Sequence, residues 1–226
     1  MFETVFDSVG KTCHGGKMTD TKTRILDAAE TLMLQHGADR TSLRMITTRA
    51  DVNLAAINYH FGSKENLVDA VLARYIGPII DSQLALLEKA EAAAGKNGPP
   101  LNDIIRGYLI PLIAFVERNP HHCEVFTKIL RPLKDVDRFQ NWVAELQKPL
   151  TARFGEALLR VLPDVPRETV LVRMALMMST ASVFFHAWQL EDVERVYSIS
   201  VSKEKLLQHT VAFISAGFQG NAVCPG

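Results

Sequence analysis

Between Gly37 and Ser63 the chain is cut into short pieces by helix start and stop residues, and that punctuation limits what can form there. Upstream, Ile25, Ala29, Leu32 and Met33 recur at i, i+4, i+7 and i+8, one face of a helix running from about Thr21 to His36. Gly37 ends it as a C-cap glycine does. Thr41 or Ser42 then caps a second, short helix that places Leu43, Ile46 and Ala50 on one face. Asp51-Val52-Asn53 breaks the period. Asn53 can cap a third short helix through Phe61, Gly62 stops it, and Ser63 caps a fourth helix running toward Ala94.

The remainder keeps a helical period and shows no convincing run of alternating strand residues. GKNGPP (95–100) is the clearest loop. Helices are expected over Leu101–Arg118, Pro120–Arg131, Val136–Leu162, Arg167–Leu190 and Lys203–Phe218, with Pro111 and Pro149 expected to kink or split two of them. The expected fold class is all-α: a flexible arm (1–20), a compact three-helix unit (21–72), a larger helical body (73–218) entered through a connecting helix, and a tail (219–226). With 47% apolar and 22% charged residues, the 226-residue chain has the composition of an ordinary soluble globular protein. Its most apolar stretch, LVRMALMMSTASVFFHAW (171–188), carries Arg173 and His186 and is expected to be a buried helix, not a membrane span. Cys13, Cys123 and Cys224 are scattered and form no CxxC pair, so a cytoplasmic setting is expected. The first residues lack the basic start and apolar core of a signal peptide, and Met18 is an alternative start.

Helices 43–50 and 54–61, separated by a three-residue break, have the dimensions of a helix-turn-helix. In that arrangement the first helix braces the second, whose exposed face enters the major groove of DNA. At about 100° per residue, Leu54, Ile57 and Phe61 form a stripe expected to be buried. Ala55, Ala56, Tyr59 and His60 lie on or around the opposite face, with Asn58 on its flank. Small Ala55 and Ala56 permit close approach to base edges, Asn58 offers a donor–acceptor pair suited to adenine, and Tyr59 and His60 can bond phosphates. Lys64 adds charge beside the free N–H groups of a helix start. Net charge is zero overall, yet residues 40–64 carry Arg40, Arg44, Arg49 and Lys64 against Asp51 alone. The competing reading is an amphipathic bundle with polar rims.

TSLRMITTRADVNLAAINYHFGSKENLVDAVL (41–72), preceded by TRILDAAETLMLQHGADR (23–40), resembles the amino-terminal DNA-binding domain of TetR-family transcriptional regulators. The resemblance covers roughly residues 21–72. It implies an all-helical homodimer whose C-terminal domain binds a small molecule that loosens the grip on a double-stranded operator. Carried across, Arg44 matches a position that often touches a base edge, residues 54–59 match the recognition helix, and His60 and Lys64 match phosphate-contacting positions. Thr41, Ser42, Asn53 and Leu54 complete the expected DNA-contact set. Two residues depart from the family pattern. Asp51 stands where glycine is usual in the turn, although Asp tolerates the left-handed conformation, and Asn58 stands where tyrosine is common.

Around 170–190, Met174, Met177, Met178, Phe184, Phe185 and Trp188 supply adaptable apolar bulk, which serves an ordinary core as readily as a pocket. The family resemblance implies that this helix and Lys203–Phe218 pair with their mates across a dimer two-fold axis, with Ala175, Ser179 and Ser182 small enough for close approach. Two recognition helices so related read a palindromic operator. An effector pocket is expected between the connecting helix and the helices from Leu101 onward. Its expected lining is Tyr108, Phe115, Phe126, Met177 and Phe184, and Arg106, Arg118 or Arg131 could partner an anionic head group. RPL (131–133) and the N-terminal part resemble fatty-acid- or acyl-CoA-responsive members; a planar aromatic or a cationic drug is the competing effector. His121-His122-Cys123 lacks the spacing of a tetrahedral metal set. No GxSxG, Walker A, Rossmann or HExxH motif appears, so neither enzymatic activity nor a cofactor is expected. A helical DNA-binding adaptor without a ligand is the remaining alternative.

Overall fold

The computed structural model describes residues 20–118, 136–181, 198 and 200–220, and no strand occurs among them. The helices are α1 (Thr21–His36), α2 (Leu43–Ala50), α3 (Leu54–Phe61), α4 (Lys64–Ala94), α5 (Leu101–Arg118), α6 (Val136–Val161), α7 (Arg167–Ala181) and α8 (Lys203–Gln219). A 3-10 turn, Gly95–Asn97, opens the GKNGPP loop. The fold is all-α, and these boundaries fall where periodicity and caps place them. Expected helix Pro120–Arg131 and the end of Arg167–Leu190 lie outside the described residues, as do the N-terminal arm and His121-His122-Cys123.

Helices α2, α3 and α4 are each started by a side chain. Ser42 accepts from the Met45 N–H at 3.2 Å, Asn53 Oδ1 from the Ala56 N–H at 2.9 Å, and Ser63 from the Asn66 N–H at 3.1 Å. Gly37 and Gly62 end α1 and α3 at φ 84° and 76°, in the region that suits glycine. Asp51 ends α2 in the left-handed conformation, φ 51° and ψ 57°, without a glycine.

The chain divides into two compact units, the first holding residues 20–78 and 136–146 among those described, the second 79–118 and 147–220. In the first, α1 packs on α2 and α3 around Ile25, Met33, Ile46 and Ile57, all fully buried. The start of α4 is tied to α1 by ion pairs from Arg74 to Asp27 (2.7 Å) and Glu30 (2.9 Å), and by a short hydrogen bond from the Tyr75 hydroxyl to Glu30. Burial first, and the Glu30 carboxylate second, push the Tyr75 phenol well above its ordinary pKa. Arg138 of α6 grips the buried Asp69 of α4 with two bonds, 2.7 and 2.9 Å.

In the second unit α8 packs on α5 and α7. Leu87, Ile105, Phe154, Leu158, Met177 and Phe218 are among its buried residues. Glu91 of α4 accepts from Arg153 (2.7 Å) and Arg160 (3.4 Å) of α6. Arg173 of α7 donates to the Phe218 and Gly220 carbonyls that close α8. Pro111 and Pro149 do not split their helices, and Pro78 likewise sits inside α4. Pro111 cannot donate to the Gly107 carbonyl. One residue on, the buried Gln83 of α4 donates to the Tyr108 carbonyl at 2.7 Å. By length and composition α4 could cross a membrane, but the paired Asp69 and Arg74 mark it as a core helix. The apolar stretch expected to be buried departs from expectation: within α7, Val170, Met174 and Met177 are buried while Val172 and Leu176 face outward.

Candidate DNA-binding site

The α2–turn–α3 unit is built from its caps inward. Ile46 and Ala50 on α2, and Ile57 and Phe61 on α3, supply the buried contacts. Leu54 is the exception to the expected stripe: it is 50% exposed. One residue after the Asn53 cap, it sits at the rim of the unit, before the helix turns its apolar face inward. The outer face of α3 therefore carries Leu54, Ala55, Asn58 and Tyr59, with Ala56 and His60 half-buried at its edges. Tyr59 is 85% exposed, an unusual position for so large a ring unless something covers it. Its ring meets His60 edge-on at 5.1 Å, and His60 is followed at 6.2 Å by the buried Phe61.

The charge around this face is one-sided. Arg40, Arg44 and Arg49 are exposed, and none pairs with an acidic side chain among the described residues. Lys64, at the first turn of α4, reaches back to the Asp39 carbonyl at 3.4 Å. Ser42 and Asn53 are exposed caps, so each hydroxyl or amide already serves an N–H of its own helix. Thr41 is different. It is fully buried and its hydroxyl donates to the Gly37 carbonyl at 2.8 Å, so it closes the end of α1 and is withdrawn from the outer face.

Sequence reasoning missed Arg24. From α1, its guanidinium donates to the carbonyls of Ala50 (2.5 Å) and Asp51 (2.7 Å), and stands 3.7 Å from the Asp51 carboxylate. A charged residue just before the first apolar position of α1 was the only trace it left in the sequence.

Two family models match the chain: the bacterial regulatory proteins of the tetR family over residues 25–71, and the tetracyclin repressor-like C-terminal domain over residues 106–217. The chain belongs to the TetR family. It is a DNA-binding transcriptional regulator and not an enzyme. Among solved structures, the fatty acid degradation regulator FadR from Bacillus halodurans superposes with a TM-score of 0.58 at 14% identity, over 91% of this chain and 98% of that one. A transcriptional regulator from Rhodococcus superposes at 0.56 with 18% identity, over 91% and 100%. At these identities the likeness is one of fold. A comparison with curated protein sequences gives no match.

Three of the five expected effector residues of this TetR-family chain lie among the described residues. Tyr108 is buried, with its ring edge-on to Phe154 at 5.5 Å and no hydrogen-bond partner for its hydroxyl among the described residues. Burial pushes that phenol up to about 12. Phe115 is half-buried about two turns further along α5. Met177 is buried on α7, where it lines an open groove of about 610 Å³ between α7 and α8 with Val172, Leu176, Thr180, Phe213 and Gly217. Phe126 and Phe184 lie outside the described residues.

Proposed function

We propose that the protein is a homodimeric repressor that holds a palindromic operator and releases it when a small hydrophobic effector binds the second unit. The observation that carries the DNA part is the outer face of α3, where Tyr59 and Asn58 stand exposed in a unit whose Arg40, Arg44 and Arg49 have no acidic partner among the described residues. In this reading Tyr59, His60 and Lys64 hold the backbone. Arg44, Ala55, Ala56 and Asn58 meet base edges, with Leu54 against thymine methyls. Ser42 and Asn53 orient the helix starts toward phosphates.

The dimer reading is supported by the α7–α8 groove, whose rim exposes Val172 (54%), Leu176 (62%) and Phe213 (72%) beside small Ala175, Ser179, Ala216 and Gly217. A large apolar face of this kind is what a second copy covers. The effector reading is supported by Tyr108, whose buried hydroxyl has no hydrogen-bond partner among the described residues, and the favoured class is a fatty acid or acyl-CoA. The FadR relative is by name a regulator of fatty acid degradation. The close Tyr108–Phe154 contact favours the alternative, a solid core and a constitutive repressor. An effector acts through α4: because Arg74 and Tyr75 tie α4 to α1, a shift of α4 carries the reading head with it and changes operator fit.

The test is a set of four variants. Tyr59→Ala and Lys64→Ala should weaken binding to every duplex, whereas Arg44→Ala and Asn58→Ala should change which base is preferred. Unchanged affinity and preference in all four would refute the DNA assignment. For the effector, operator affinity unchanged by a panel of long-chain acids and acyl-CoA esters would leave the constitutive repressor.

A further inference from the structure

The turn between α2 and α3 has to do two things at once. It must stop α2, leaving the last carbonyls of that helix without intrahelical donors, and it must aim α3. Glycine normally accommodates the left-handed residue such a turn needs. Here the residue is Asp51, at φ 51° and ψ 57°. Its own N–H and that of Val52 both return to the Thr47 carbonyl, Val52 at 3.1 Å. Among the carbonyls that remain are those of Ala50 and Asp51, at the negative end of the helix. Arg24 fills both from another helix, at 2.5 and 2.7 Å, with its Nη2 also 3.7 Å from the Asp51 carboxylate. A single nitrogen, Nη2, meets two successive carbonyls and one carboxylate, one bond further from the backbone than a lysine ammonium extends.

We propose that Arg24 is a positioning residue for operator recognition: it clamps the non-glycine turn at Asp51 to α1 and thereby sets the angle at which α3 presents Asn58 and Tyr59. The Arg24–Asp51 pair takes the place of a glycine turn. Arg24 acts through the turn, since Nη2 donates to both the Ala50 and Asp51 carbonyls. The inference rests on the DNA-binding reading given above.

The probe is the duplex that the wild-type protein enriches from random-sequence DNA, with a scrambled duplex of equal length, each titrated at several salt concentrations. Arg24→Ala should lose about tenfold to a hundredfold in affinity for the enriched duplex, the equivalent of one or two lost base contacts. Affinity for the scrambled duplex and the slope of affinity against salt should not change, because no phosphate contact is removed. Asp51→Gly placed in the Arg24→Ala background should restore part of the discrimination, since glycine holds the left-handed turn without a clamp. Should Arg24→Ala fail to fold by circular dichroism, Arg24→Lys decides, with a discrimination between those of wild type and scrambled binding. Wild-type discrimination in a folded Arg24→Ala, or in Arg24→Lys where that variant decides, overturns the inference. So does a weakening on both duplexes with a shallower salt slope, which would make Arg24 a phosphate contact. A wild type that enriches no duplex overturns the DNA reading itself, and this inference with it.

Discussion

Phe213 of α8 offers the sharpest test of the dimer. It is 72% exposed in the protomer and lines the groove shared with α7. A phenylalanine carries about 200 Å² of burial, so about 140 Å² remains open on each copy. At about 25 cal/mol per Å², complete cover contributes about 3.5 kcal/mol. A two-fold axis uses the residue twice, giving a ceiling of about 7 kcal/mol. Cover is never complete and association has its own costs, so about half of that is the working figure, a dimer weakened by two to three orders of magnitude. Phe213→Ser should therefore convert a dimer into a concentration-dependent mixture with monomer in sedimentation velocity. The thermal midpoint of the monomer should not fall, because the ring is not part of its core. A Phe213→Ser protein that sediments as the wild type at every dilution would show that the groove is not the interface and would refute this reasoning.

Three further outcomes follow from the packing. Asn53→Ala removes the α3 cap, which should cost about 1 kcal/mol and lower the midpoint of urea unfolding, read by circular dichroism. Arg138→Leu leaves the buried Asp69 carboxylate without its bidentate partner, which should cost about 3 kcal/mol in the same assay. Tyr108 makes stability depend on alkaline pH. Its folded pKa lies at about 12 against 10 in the unfolded chain, so its contribution is complete below pH 10. It is lost as pH rises toward 12, by roughly 3 kcal/mol. Urea unfolding at pH 8 and at pH 11 should show that decline in the wild type and less of it in Tyr108→Phe, with Tyr75 supplying the remainder in the same direction.

Much of this molecule was legible in its punctuation. The Ser42, Asn53 and Ser63 caps act within one helical turn, so sequence spacing alone places them, and the α1–α4 boundaries follow. What escaped was long-range. Arg24 serves carbonyls 26 and 27 residues away, and no local pattern announces such a bond. The burial of Thr41 and the exposure of Leu54 escaped for a related reason. Helical phase predicts which face points inward, but at the ends of short helices the neighbouring element decides. Thr41 is covered beneath the close of α1, and Leu54 projects past the bundle. The second unit was the hardest to read. An apolar helix there serves a core on one side and an open groove on the other, and α7 shows no periodicity strong enough to separate Met177 from Leu176.

The central claim is that the outer face of α3 reads DNA. Selection of duplexes from a random pool by the purified wild-type protein, with affinities then measured at fixed salt, tests it most directly. The expected result is an enriched palindrome bound about a thousandfold or more tighter than its scramble, and a different preferred base at one symmetric pair of positions when Asn58→Ala is used instead. No enrichment over the starting pool, or an identical consensus from wild type and from variants at Arg44 and Asn58, would contradict it.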